Sequence, residues 1–370
     1  MKPTALLCAS ALVLVLTCAE APALPRFAAQ TGFRCQSCHV NPAGGGMRNP
    51  NGAKFGREEL PVPEWSEEAG LEDLTKLLPS FLGVGADFRA MYMVRQAPDS
   101  AGSGSRLEDE FWQMQGDIYF NFRIAKKINL YFKKGLYSGF EAYGLLNVLP
   151  LRGHVKIGKF VPNYGLRIDD HTAFIRTYTG FSPAGGRPEV TGVEAAVVPG
   201  PVLISGGIYN AADGFGGTAG SDKAYLGRLE GMFGIASDAH LGIGANVLHR
   251  QDASRSVTLV GGFASFGYGG FTLLGEGDLL RNKYPAGTTT GLVVYAEADY
   301  TIIDGVDIQC AYDFYDADKD HKSGSTSRYS VGVGFIPLGG IEVRPIYRII
   351  QEDPTDVKNN ELHILFHIYL

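Results

Sequence analysis

The chain has 370 residues, 45% of them hydrophobic and 19% charged, with a formal net charge of −6 and a mean hydropathy of −0.01. A disordered chain would pair low hydrophobicity with high charge and is excluded; without a basic excess, nucleic acid is not expected as a partner. A bundle of membrane helices is excluded too, because the one long apolar run, residues 5–16, falls short of the ~18 residues that a spanning helix needs.

The distinctive numbers are 49 Gly, 18 Tyr and 21 Phe beside 6 Met and 2 Trp. A barrel with an apolar outer face and a polar lumen has this composition, since averaging hides both faces. At the N-terminus, Met1-Lys2 gives a positive start, residues 5–16 an apolar core and Ala21-Pro22-Ala23 small residues for cleavage. Residues 1–23 therefore read as a secretory signal peptide. Cys18, after Val15-Leu16-Thr17, loosely matches a lipoprotein site, with Thr a poor fit at the position before it.

Past the signal the cysteines are Cys35, Cys38 and Cys310, and Cys35-Gln36-Ser37-Cys38-His39 is C-x-x-C-H, the c-type haem attachment sequence. Its spacing suits the chemistry. Two thiols two residues apart add across the vinyl groups of one porphyrin edge, and the next His takes the iron as proximal ligand. A zinc site wants four ligands, and no second Cys pair exists. A redox dithiol would sit in a βαβ unit, whereas Pro42 and Gly44-Gly45-Gly46 follow here. Those glycines let the backbone turn through positive φ or pass close to a flat ligand. We expect one haem c, bound through Cys35, Cys38 and His39. The haem-binding segment, residues 24–79, promises one short helix over 66–78, with Leu71, Leu74, Leu77 and Leu78 at helical spacing. So little helix cannot bury a haem, which must borrow walls from the rest of the chain.

Residues 80–370 read as an all-β, antiparallel transmembrane barrel. Leu82, Val84, Ala86, Phe88, Ala90, Tyr92 and Val94 alternate with Gly83, Gly85, Asp87, Arg89, Met91, Met93 and Arg95. Met114, Ile118, Phe120, Phe122 and Ile124 form the next apolar set, and Leu362, Ile364, Phe366, Ile368 and Leu370 the last. About 16 such segments follow one another, joined alternately by tight turns and long polar loops, as in outer-membrane barrels. The turns include 125–126, 199–200 and 304–305; the loops include 96–110, 211–222, 281–289 and 316–326. The longest break, 162–187, is rich in Ile, Phe and Tyr and is expected to fold into the lumen. An additional strand pair is the alternative reading.

A second axial ligand could be Met47, His154, His171, His363 or His367. Met47 lies eight residues after His39; rounding the porphyrin edge would use most of the ~27 Å that eight extended residues reach. His171, in the inserted loop, is favoured because that loop can descend onto a haem held in the barrel; Met47 is the alternative.

The stretch Arg26-Phe27-Ala28-Ala29-Gln30-Thr31-Gly32 leading into C-x-x-C-H, followed by Phe55-Gly56-Arg57, resembles the fused cytochrome–porins of bacterial outer membranes, whose best-known members are monohaem iron oxidases. The resemblance is specific over residues 26–57 and architectural beyond; the Gly44-Gly45-Gly46 insert and the shorter chain set this sequence apart. It implies electron transfer across the outer membrane by one haem at or inside the barrel, between an extracellular redox species such as iron and periplasmic c-type cytochromes. The alternative is a diffusion porin whose haem-bearing plug is structural or sensing. Gly83, Gly85, Asp87, Arg89, Arg123, Lys133, Glu276, Arg344 and Arg348 on lumen faces suit a polar pore as well.

Overall fold

The structure, a computed structural model, describes residues 25–66, 78–98, 105–136, 139–182, 188–211, 222–251 and 255–370. The expected signal peptide, and all but the ends of the helix expected over 66–78, lie outside them.

Sixteen antiparallel strands close into one barrel, each beside its sequence neighbours, with β1 against β16. The first eight are β1 (Leu82–Pro98), β2 (Ser105–Ala125), β3 (Ile128–Gly135), β4 (Phe140–Leu149), β5 (Gly153–Phe160), β6 (Val190–Val197), β7 (Val202–Asn210) and β8 (Lys223–Ala236). The rest are β9 (Ala239–Gln251), β10 (Ser256–Tyr268), β11 (Phe271–Tyr284), β12 (Gly287–Ile303), β13 (Val306–Asp316), β14 (Ser325–Leu338), β15 (Ile341–Glu352) and β16 (Glu361–Tyr369). Closure leaves no edge strand with unpaired backbone groups. No helix among the described residues is long and apolar enough to cross a membrane.

Alternation sorts the side chains as the sequence requires. On β1 and β16, Asp87, Arg89, His363 and His367 are buried inward, while Phe88, Phe366 and Ile368 stand exposed on the outside. Met114, read as outward-facing, departs from this. A bulge opposite Arg89 and Ala90 shifts the β1–β2 register, and Met114 borders an internal void beside Gln115. The bulge puts two residues against one, which breaks strict alternation at that point.

The tight turns read from the sequence, such as 125–126, 199–200 and 304–305, fall on one rim. On the other rim, two stretches expected as loops are largely strand. Residues 281–284 pair with 287–290, as in Asn282 with Thr289, and Arg95 faces Glu108 across the β1–β2 pair. These polar extensions carry no apolar alternation, so they resemble loops in sequence although their backbones are fully laddered.

Two segments fill the lumen. The N-terminal segment enters the short-turn rim as a plug made of helix α1 (Pro25–Thr31), a 3-10 turn (Cys35–Ser37), helix α2 (Pro50–Glu58) and one turn of helix, α3 (Pro63–Ser66). It is tied to the rim at several points. Val62 donates its amide to the Ile336 carbonyl at 3.0 Å, Gln30 Nε2 donates to Thr301 Oγ1 at 3.2 Å, and Arg34 donates to the Pro201 carbonyl. The connection between β5 and β6 folds inward from the opposite rim, as expected, and carries helix α4 (Phe174–Thr179) rather than a strand pair.

Candidate functional site

The C-x-x-C-H motif is built by local hydrogen bonds. The Cys38 and His39 amides donate back to the Cys35 carbonyl at 3.2 and 2.9 Å, closing the turn. His39 then pairs with Arg48 in a short antiparallel ladder, where the Val40 amide donates to the Met47 carbonyl at 3.0 Å. The loop between them turns on Gly44, Gly45 and Gly46, at φ of 84°, 71° and 65°. Three successive left-handed residues are open only to glycine at low cost. At Gly44 a Cβ would stand 3.0 Å from Cys35 Sγ.

Asn49 was not singled out in the sequence, yet it organises this turn. Its Oδ1 accepts from the Gly52 amide at 3.0 Å and caps α2. Its Nδ2 donates to the carbonyls of Gln36 and Ser37 at 3.1 and 3.0 Å. The available signal was Asn49-Pro50, a capping residue followed by Pro at the first helical position. The residues that carry the family resemblance dock the plug. Phe27 packs edge-on against Phe55 at 5.7 Å, and Arg26 reaches Asp307 and Glu342 at 3.4 and 3.3 Å.

His39 is buried, and its Nδ1 has no hydrogen-bond partner among the described residues. Burial, reinforced by the Arg48 charge, pushes the imidazole down to about 4, so it is neutral, as an iron ligand must be. It stands where three voids meet, of about 570, 110 and 50 Å³. Cys35 borders the second and Cys38 the third, and neither is in a disulfide. The donor set suits a covalently attached haem: Cys35 and Cys38 are free of disulfides, and His39, whose Nδ1 has no hydrogen-bond partner among the described residues, borders a void with each of them.

The candidate second ligands are placed differently. His171 borders the 110 Å³ void together with His39 and Cys35, and its ring makes no hydrogen bond to another described residue. Burial, with Arg89 and Arg176 beside it, holds His171 well below the usual imidazole range. The two preceding residues are pinned to the barrel wall. Arg89 Nη2 donates to Asp169 Oδ1 at 2.6 Å and Arg348 Nη2 to Asp170 Oδ2 at 2.6 Å. Arg344 and Arg328 lie 3.6 and 3.5 Å from the same carboxylates. Met47 borders the 570 Å³ void with His39, but ladder alternation turns the two side chains to opposite faces. Its thioether lies against β1, where a Cβ on Gly83 would stand 2.5 Å from Met47 Cε. His367 is engaged through both ring nitrogens, by Asp87 at 3.0 Å and Glu342 at 3.3 Å, and His363 by Glu361 at 2.9 Å. His154 is buried on β5 and borders none of the three voids.

The lumen residues named for a polar pore are mostly closed in. Arg89, Glu276, Arg344 and Arg348 are each no more than 8% exposed, because plug and loop cover them. Arg123 lies at the short-turn rim and is exposed.

No protein-family model and no curated protein matches the sequence. Among solved structures, the chain is similar to the anion-selective porin from Comamonas acidovorans, at 12% identity over 78% of this chain and 99% of that one, with a TM-score of 0.59. It is similar to Pseudomonas putida OprB at 9% identity, over 80% of this chain and 96% of that one, with a TM-score of 0.60. The outer membrane channel DcaP of Acinetobacter baumannii gives 10% identity over 78% and 97% of the two chains, and a TM-score of 0.57. At these identities the likeness concerns fold alone, and on fold it is consistent: the chain has the closed sixteen-stranded barrel of an outer-membrane porin.

Proposed function

We propose that the protein is an outer-membrane electron carrier that holds one haem c in the plug of its porin-like barrel. Cys35 and Cys38 would hold the group as thioethers and His39 would bind its iron, with His171 as the favoured second ligand and Met47 as the alternative. When bound, the group supplies reversible one-electron iron chemistry. The chain's own residues do the rest. Asn49 and the three glycines fix the attachment turn, and Arg89 and Arg348 hold the loop that bears His171. Plug and loop together cover the lumenal Arg89, Arg344 and Arg348. The periplasmic partners are c-type cytochromes or similar carriers, and the outer partner is a small redox species. Iron comes from the family resemblance.

The observation that carries this reading is the C-x-x-C-H turn seated in the barrel mouth, with neutral His39 at the meeting point of the three voids. The test is a pyridine haemochrome spectrum of the protein purified from outer-membrane fractions, beside C35A/C38A. Covalent haem in the native chain and none in the variant is expected. Absence of covalent haem from the native chain refutes the proposal. The fold likeness to an anion-selective porin favours the second reading, a diffusion porin with a haem-bearing plug. Solute flux into liposomes without haem reduction by external Fe(II) would favour the porin; reduction without flux favours the carrier.

A further inference from the structure

The 110 Å³ void is the one that borders Cys35, His39 and His171 together. The carboxylates around it are already paired. Asp87 lies 3.5 Å from Arg48, Asp169 2.6 Å from Arg89, and Asp117 and Glu141 lie 3.4 and 3.5 Å from Lys133. Two more cations border the same void, Arg167 and Arg176, and these meet only backbone. Arg167 donates to the Val161 carbonyl at 3.0 Å, and Arg176 to the carbonyls of Ile168 and Phe181 at 2.6 and 3.3 Å. Neither has an ion-pair partner among the described residues. Elsewhere in the lumen arginines meet carboxylates, as Arg228 meets Glu230 and Arg328 meets Asp313.

Both arginines belong to the inserted loop that carries His171, and both stand at the attachment site. A Cβ on Gly45 would lie 3.3 Å from Arg167 Nη1, and the Arg176 charge acts on the His171 ring. Burial and then the Arg167 charge pull Arg176 down to about 10, although Asp169 and Asp170 oppose them. An anion set against the pair would relieve that repulsion, and a planar carboxylate suits the guanidinium fork best. A haem brings two carboxylates, its propionates, on the edge away from the vinyls that thioethers use. We propose that Arg167 and Arg176 hold the haem propionates, so that this edge faces the inserted loop and the thioether edge faces the plug. The assignment rests on the haem reading proposed above and adds the orientation of the group.

Reduction removes one positive charge from the iron, so cations beside a haem favour the reduced state and their loss lowers the midpoint potential. The experiment uses the purified full chain, after haemochrome quantitation of covalent haem. Native protein, R167Q/R176Q, R167K/R176K and K127Q are compared by redox titration and by the propionate bending bands in resonance Raman spectra, which respond to hydrogen bonds at the propionates. Lys127 is exposed and borders none of the voids described, so it controls for general surface charge. R167Q/R176Q should keep its haem, shift the propionate bands and titrate at a lower potential. R167K/R176K should recover most of the potential, and K127Q should match native protein. Where the double glutamine variant does not assemble, R167Q and R176Q are read singly, and each should show part of both shifts. Native bands and potential in the glutamine variants, or an equal shift in K127Q, overturn the assignment and leave the haem reading intact. A native protein without covalent haem overturns the haem reading, and this assignment with it, before any variant is compared.

Discussion

The plug is held in the barrel by few strong contacts, and Arg26 is the most buried of them. Its guanidinium lies 3.4 Å from Asp307 and 3.3 Å from Glu342, its side chain is 7% exposed, and it stacks 4.8 Å from the Phe27 ring. Replacing it with Ala strands a buried carboxylate, which typically costs ~3–5 kcal/mol. Glu342 keeps Arg344 and His367 as partners, so the lower end applies. At about 1.4 kcal/mol per tenfold, ~3 kcal/mol raises the undocked population of the plug roughly hundredfold. Two assays read this: protease cleavage of the native-state plug, and ion conductance of the barrel in a planar bilayer. Native protein should resist cleavage and conduct rarely, and R26A should be cut faster and open often. R26M, which keeps bulk on Phe27 and loses the charge, should behave as R26A does. Identical protection and conductance in all three would refute the latch.

Gly267 packs so closely on α1 that a Cβ there would overlap the Ala29 carbonyl; G267A should cost ~1–3 kcal/mol of plug docking by overpacking and show in the same protease assay. H171A should keep covalent haem yet change the low-spin EPR signal and the long-wavelength ligand band; an unchanged spectrum removes His171 as a ligand. Asp170 is held below the usual carboxylate range, because Arg348 and Arg328 outweigh the burial that alone would raise it. Its stabilisation is therefore complete above the unfolded value of ~3.9 and lost as pH falls through the lower folded value. Hydrogen exchange in residues 163–179 should stay slow from neutral pH to about pH 4 and quicken only below that.

The barrel was legible because its constraint is periodic. One face meets an apolar medium and the other does not, so parity alone separates Phe88 from Arg89 and Ile368 from His367. Strands begin within a few residues of the tight turns read from the sequence, as at Ile128 after 125–126, Val202 after 199–200 and Val306 after 304–305. Parity failed where apolar contrast was missing, in the polar hairpin of Asn282 and Thr289, and where a bulge broke it, at Met114. The attachment motif was equally plain, because thioether chemistry fixes the spacing of Cys35, Cys38 and His39. What the motif could not reveal was its surroundings. Nothing near Arg26 announces Asp307 or Glu342, which lie about three hundred positions away and meet it only after the barrel closes. α1 and α2 were missed for a related reason. Each is under ten residues long, too short for helical periodicity to rise above noise, and each is held by the barrel wall rather than by its own propensity.

The central claim is that this porin-like barrel carries a covalent haem in its mouth. The most direct measurement is an absorption spectrum of the purified outer-membrane protein, reduced with dithionite, before and after acid–acetone extraction. The account predicts reduced c-type bands that stay with the polypeptide. A colourless protein, or haem that leaves with the solvent, would contradict it.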